Sequence, residues 1–242
     1  MPSVPTRPPA AGDSPAHAPR QRRKEARPQE LLAAALALFA EKGFAATRAE
    51  EVAARAGVSK GTLYLYYPSK EELLKAVIRE NLGLLIAEGE ELVSSYDGPT
   101  ADLLMVLMDT WWERVGNTPA AAIHKIIVSE ARNFPEIASF YTAEIIVPAE
   151  RLMSNAVQRG IDRGEFRQVP VHEVALGLLA PVIFLSLHQH SVGVTCPFSD
   201  SVDPRRVVAT HIDVALRGLQ RRGDNLDDQP PRTPTACLPD CP

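Results

Sequence analysis

The chain has 242 residues, 45% of them apolar, 23% charged and 6% aromatic, and carries a formal net charge of −4. That length bounds it to one or two domains with a sizeable core, and the balance of charged and apolar residues excludes wholesale disorder. No unbroken apolar run reaches the ~18 residues of a membrane span, no apolar leader opens the chain, and three cysteines, two of them in the last six residues, exclude a disulfide framework; a cytoplasmic protein without membrane contact is expected. Residues 1–20 hold proline, alanine, serine and arginine but almost nothing to bury, and are expected to form a disordered tail, as is the Pro-rich segment 223–242. Between them the apolar period is helical. A helix over 28–42 carries Leu32, Leu36 and Phe39 on one stripe and stops at Gly43. Thr47 is placed to cap a short helix over 49–56, Ser59 to cap one over 60–66, and Ser69 to cap a long one bearing Leu73, Leu74, Val77, Ile78, Leu82, Leu85 and Ile86. Further helices are predicted at about 100–115, 119–132, 135–163, 171–190 and 204–221, with prolines at most of their boundaries. No alternating run is long enough for a strand, so the fold class is all-α.

The charge is unevenly spread. Residues 20–80 hold 12 Lys and Arg against 8 Asp and Glu, while 81–242 hold 13 against 21. A basic segment on an acidic body points to an anion-binding module. Within it, two short helices joined by a turn at Gly57 have the spacing of a helix-turn-helix, whose second helix enters the DNA major groove. Val52, Ala53, Val58 and Leu63 supply contacts small enough for close helix crossing, and Lys60, Thr62, Tyr64 and Tyr66 give the second helix a cation, a hydroxyl and two phenols. The competing interpretation, a helical hairpin inside a bundle core, explains neither the caps nor the basic and aromatic face.

The run Gly43-Phe44-x-x-Thr47, Val52-Ala53-x-x-Ala56-Gly57-Val58-Ser59-Lys60-Gly61-Thr62-Leu63-Tyr64-x-Tyr66-Tyr67-x-x-Lys70-Glu71-x-Leu73 closely resembles the DNA-binding domain of TetR-type transcriptional regulators, departing only at Tyr67, where the family more often has Phe. The resemblance covers about residues 28–80. It implies a helix-turn-helix DNA-binding domain over 21–75 and a larger helical regulatory and dimerisation domain over 76–222. It also implies a homodimer on palindromic operator DNA and a small-molecule effector. Carried over by position, the DNA contacts fall on Thr47, Arg48, Ser59, Lys60, Gly61, Thr62, Tyr64, Tyr66 and Lys70. Thr47, Ser59 and Lys70 are expected to meet phosphate, Tyr64 and Tyr66 sugar–phosphate or thymine methyls, and Lys60 and Thr62 base edges; Gly61 permits close backbone approach. The basic run Arg20 to Arg27 is expected to lie along the DNA backbone or reach a minor groove as a flexible arm.

Two apolar stripes near the end of the chain are expected to form the dimer seam: Val174, Leu178 and Val182 on one helix, and Val208, Ile212, Ala215, Leu216 and Leu219 on the other. A ligand pocket is expected among the helices at 100–115, 119–132 and 135–163, lined in part by Trp112, His124, Tyr141 and, from a later helix, Phe184, and suited to an apolar or aromatic compound. No metal or cofactor is expected, because His188 and His190 diverge on a helix and complete no ligand set with Cys196. No nucleophile elbow, phosphate loop or metal-spaced cluster supports an enzyme with an incidental helix-turn-helix. A repressor released by ligand is the leading expectation; a ligand-independent or activating DNA-binding regulator is the nearest alternative.

Overall fold

The computed structural model describes residues 18–195 and 202–220. Residues 1–17 of the expected N-terminal tail and all of the expected C-terminal tail, 223–242, lie outside the described residues, as do all three cysteines; residues 18–20 are helical. Helix α1 (Ala18–Lys42) opens at residue 18 rather than 28 and runs through Pro28. Residues 18–27 are mostly Arg, Gln, Lys, Glu and Ala, strong helix formers, and an internal proline with helical φ removes one backbone hydrogen bond without forbidding the turn before it. The backbone of the expected flexible arm is therefore helical.

Helices α2 (Ala49–Arg55) and α3 (Lys60–Tyr66) follow, and α4 (Lys70–Ile78) continues through a π turn, Arg79–Gly83, into α5 (Leu84–Ser95). Helix α6 (Thr100–Trp111) ends in a second π turn, Trp112–Gly116, and a 3-10 turn, Pro119–Ala121, leads into α7 (Ala122–Glu130). Helix α8 (Pro135–Tyr141) passes through a third π turn, Thr142–Ile146, into α9 (Val147–Asp162), and α10 (Val171–Gln189) and α11 (Pro204–Leu219) complete the body. No strand occurs among the described residues; one antiparallel bridge joins Phe166 to Gln220. Ser59 and Ser69 cap α3 and α4 as expected, each accepting a backbone N–H, from Thr62 and Glu72, at 3.1 Å.

Two cores organise the chain. The first begins in the DNA-binding segment with Leu31, Phe39, Phe44, Val52, Leu63 and Leu74, all essentially inaccessible, and continues without a break into Ile123, Ile126, Ile137 and Tyr141 of the body. The second packs α6, α9, α10 and α11 around Met108, Trp112, Met153, Val157, Leu178 and Ile212. Helix α10 is long and apolar enough to cross a membrane, with a mean hydropathy of 1.7; it packs against α7, α9 and α11 and keeps one face exposed. Both cores meet around α7, so the body's packing reaches the DNA-binding segment directly.

Candidate DNA-binding face and ligand cavity

Gly43 and Gly57 sit at φ +85° and +67°, the left-handed region in which glycine closes a helix at little cost. Gly43 begins the turn that presents α2. Phe44 is fully buried there, its ring 5.4 Å from that of Phe39 and 5.1 Å, edge-on, from that of Phe134 in the body. Thr47 is 1% exposed, and its hydroxyl donates back to the Gly43 carbonyl at 2.7 Å. Arg48 is the true N-cap residue of α2, and the Glu51 carboxylate accepts its backbone N–H at 2.9 Å. Thr47 is thus neither the cap nor a phosphate ligand: a hydroxyl that closes the α1–α2 turn from inside does not reach solvent. Lys70 is held in the same turn. Its Nζ lies 2.9, 3.2 and 3.1 Å from the carbonyls of Phe44, Ala45 and Thr47 and 4.4 Å from the Phe44 ring centroid. An ammonium has three donors, and all three hold this turn.

Along α3, Lys60, Gly61, Tyr64 and Leu65 are exposed, Thr62 is half-buried, and Leu63 alone is buried against α2. Ser59 Oγ and Thr62 Oγ1 share a hydrogen bond at 2.9 Å, which sets the first turn. Lys60 pairs with Glu50 at 2.5 Å and lies 5.7 Å from the Tyr64 ring centroid. The Lys60 ammonium holds the Glu50 carboxyl below its ordinary pKa. With both side chains more than half exposed, such a pair is weak and exchangeable. Around Gly61 only the Ser59 hydroxyl comes within 4 Å of where a Cβ would stand, so the fold itself does not require glycine there. Tyr66 is half-buried and packs on the first core, which leaves Tyr64 as the outward phenol. Sequence reading passed over Leu65, 82% exposed in the middle of this face. A large apolar side chain left in water on an otherwise polar helix was the signal that finds it.

The body holds a cavity of about 990 Å³ with an almost wholly apolar wall drawn from α5 to α10 and from the first and third π turns. His124, Tyr141 and Phe184 line it; Trp112 does not. Adjacent residues on a helix point apart, and here Trp111 faces the cavity while Trp112, 4% exposed, belongs to the second core. Burial, against one weak backbone contact, drives the pKa of His124 down to about 4 and leaves the ring neutral. Burial also pushes the Tyr141 phenol up, so it stays protonated. Two carboxylates stand at the wall, Glu88 paired with Arg114, and Glu150 hydrogen-bonded by Ser154 and His172.

The expected dimer stripe is corrected. Leu178, Val182, Val208, Ile212, Leu216 and Leu219 are each 8% exposed or less inside the protomer's own second core, and Val174 and Ala215 pack at its edge. The 3.6-residue period showed an apolar face on α11 but not its target, which is α6 and α10. Among the described residues, the large apolar side chains these helices leave outside are Leu176, Phe184 and Val214.

A capped helix pair with an exposed cationic and phenolic second helix, set on an all-helical body with a large apolar cavity, defines a helix-turn-helix DNA-binding regulator. The description "Bacterial regulatory proteins, tetR family" matches residues 31–77. Over 195 residues the chain is 30% identical to the HTH-type transcriptional repressor KstR2 of Mycobacterium tuberculosis, spanning 80% of this chain and 93% of that protein. In fold it is similar to SmeT in its triclosan complex (TM-score 0.66, 24% identity, 89% of this chain and 100% of that one). It is also similar to FadR of Bacillus subtilis in complex with stearoyl-CoA (TM-score 0.61, 17% identity, 79% and 99%). The chain belongs to the TetR family of transcriptional regulators.

Proposed function

We propose that the protein is a homodimeric repressor that grips a palindromic operator through α3 and lets go when a small apolar compound fills the cavity. Lys60, Thr62, Tyr64 and Leu65, with Arg48 at the start of α2, form the contact face: the cation and hydroxyl read base edges, Leu65 meets thymine methyls or sugars, and Gly61 lets the DNA backbone come close. Thr47, Lys70 and Tyr66 act from behind, by fixing the turn and the helix.

The observation that carries the release mechanism is the position of α7. Its His124 and Ile127 line the cavity, and at its far end Glu130 accepts the Ala45 N–H at 3.2 Å. Phe134, just beyond, stacks edge-on against Phe44. A ligand that displaces α7 therefore pulls on the turn Lys70 also holds, and the continuous helix from α4 to α5 offers a second route past the cavity wall. Two proteins with this fold are seen in complex with small molecules, SmeT with triclosan and FadR of Bacillus subtilis with stearoyl-CoA.

The test is operator affinity on DNA upstream of its own gene, measured beside Trp fluorescence, since Trp111 lines the cavity. Lys60→Ala and Tyr64→Ala each weaken operator binding, by about 1–3 kcal/mol where a base contact is lost, with fold and dimer intact. Unchanged affinity in both variants rules out this face. Compounds that saturate the fluorescence change without any loss of operator binding rule out release by ligand.

A further inference from the structure

The cavity wall is apolar except at a few atoms, and two of those lie deep. His124 is 5% and Tyr141 7% exposed, their rings 88° apart with centroids at 6.5 Å. His124 Nδ1 stands 3.2 Å from the Ala121 carbonyl. A carbonyl only accepts, so that nitrogen carries the proton and Nε2 presents a lone pair. Among the described residues neither His124 Nε2 nor the Tyr141 hydroxyl has a hydrogen-bond partner, yet neither atom is sealed away from solvent-sized contact. A polar atom on a side chain more than nine-tenths buried, opening only onto an apolar cavity, costs stability unless something inside it bonds to it.

We infer that His124 and Tyr141 form a recognition pair for a neutral oxygen function, a hydroxyl above all, on an otherwise apolar ligand. The inference rests on the ligand-responsive reading and names the ligand's chemistry. Nε2 accepts the ligand's O–H, and the phenol donates to the same oxygen. A carboxylate or phosphate meets the opposite environment. Among the described residues no Lys or Arg lines the cavity, and the two ionisable groups nearer its rim, Glu88 and Glu150, are acidic. Deep in the cavity an anion would face the Nε2 lone pair in a medium that screens poorly, and the Arg114 cation beside the rim is already paired with Glu88. The volume suits a bulky or extended body, as apolar pockets with few convergent polar groups do.

The test uses the full chain without DNA and three probes of matched length: 1-decanol, decanoate and 1-chlorodecane, titrated against Trp fluorescence and by calorimetry at pH 7.5. The expected result is 1-decanol binding about tenfold more tightly than either of the others, the scale of one or two well-placed hydrogen bonds. Tyr141→Phe and His124→Phe each erase most of that advantage while leaving 1-chlorodecane affinity unchanged, with thermal melts confirming that both variants fold. Decanoate binding as tightly as 1-decanol, an advantage untouched in Tyr141→Phe, or no binding by any of the three overturns the pair. Release of operator DNA is measured separately, so a hydroxyl preference without release sinks the repressor reading and leaves the recognition pair standing.

Discussion

Lys70 sits where the family pattern puts a phosphate-binding cation, yet its ammonium caps three carbonyls of the turn ahead of α2 and covers the Phe44 ring. The two roles predict different outcomes. If Lys70 only met phosphate, Lys70→Met would reduce operator affinity and its salt dependence while leaving stability alone. With its donors turned inward, the substitution strips three carbonyls of a charged partner, and we expect a loss of about 1.5–3 kcal/mol in urea unfolding, with weaker operator binding following from the loosened turn. An unchanged unfolding midpoint would return Lys70 to the DNA. His124 gives a pH signature at the same scale. Its folded pKa of about 4 lies below the ordinary 6.5, so only the unfolded chain takes up a proton as pH falls through 6 and 5. The sign follows: the contribution is intact above pH 6.5 and is lost progressively towards pH 4, by about 2 kcal/mol between pH 7.5 and pH 5. His124→Phe should flatten that part of the stability profile relative to the unmodified chain; parallel profiles would mean the ring is solvated.

At the scale of elements, α7 joins the two halves of the mechanism. Glu130, 8% exposed, binds both Ala45 N–H and the Asn133 side chain, and is the polar link from the body to the α1–α2 turn. Glu130→Ala should leave cavity binding unchanged, because the residue does not line it. It should also reduce the factor by which ligand weakens operator binding, since coupling between such sites is typically only about 1–3 kcal/mol. Equal coupling in the variant would move the route to α4 and α5. The sequence announced most of these elements through local chemistry: Ser59 and Ser69 cap where a cap was needed, and Gly43 and Gly57 end helices where a left-handed residue was needed. It did not announce the π turns, nor which of two adjacent tryptophans would face the cavity: neighbours on a helix point apart, and packing gives Trp111 to the cavity and Trp112 to the second core. Thr47 and Lys70 show a related limit. Residue type and spacing mark a hydroxyl or an ammonium as available, but only the packed turn shows which backbone groups have already taken it.

For the whole molecule, the same limit governs the dimer. Periodicity finds the apolar face of α11 without saying whether a partner or the protomer covers it, and the structure gives that face to the protomer's own core. Leu216→Glu, which an interface at this stripe would make monomeric, should instead unfold the body, because a carboxylate would stand 7% exposed among apolar neighbours without a counter-charge. If the proposed homodimer forms through α10 and α11, its seam uses what these helices leave outside, with Phe184 64% and Val214 63% exposed. Symmetric half-sites about 34–36 Å apart require two recognition helices held in one rigid frame, so losing the seam costs operator binding even when each protomer is folded. Val214→Glu and Phe184→Glu should therefore melt close to the unmodified protein, sediment as monomers at micromolar concentration and bind a full palindrome no better than a half-site. Phe184 also borders the cavity, so Val214→Glu is the cleaner of the two. If both variants remain dimeric with full operator affinity, the two subunits meet through some other surface of the body.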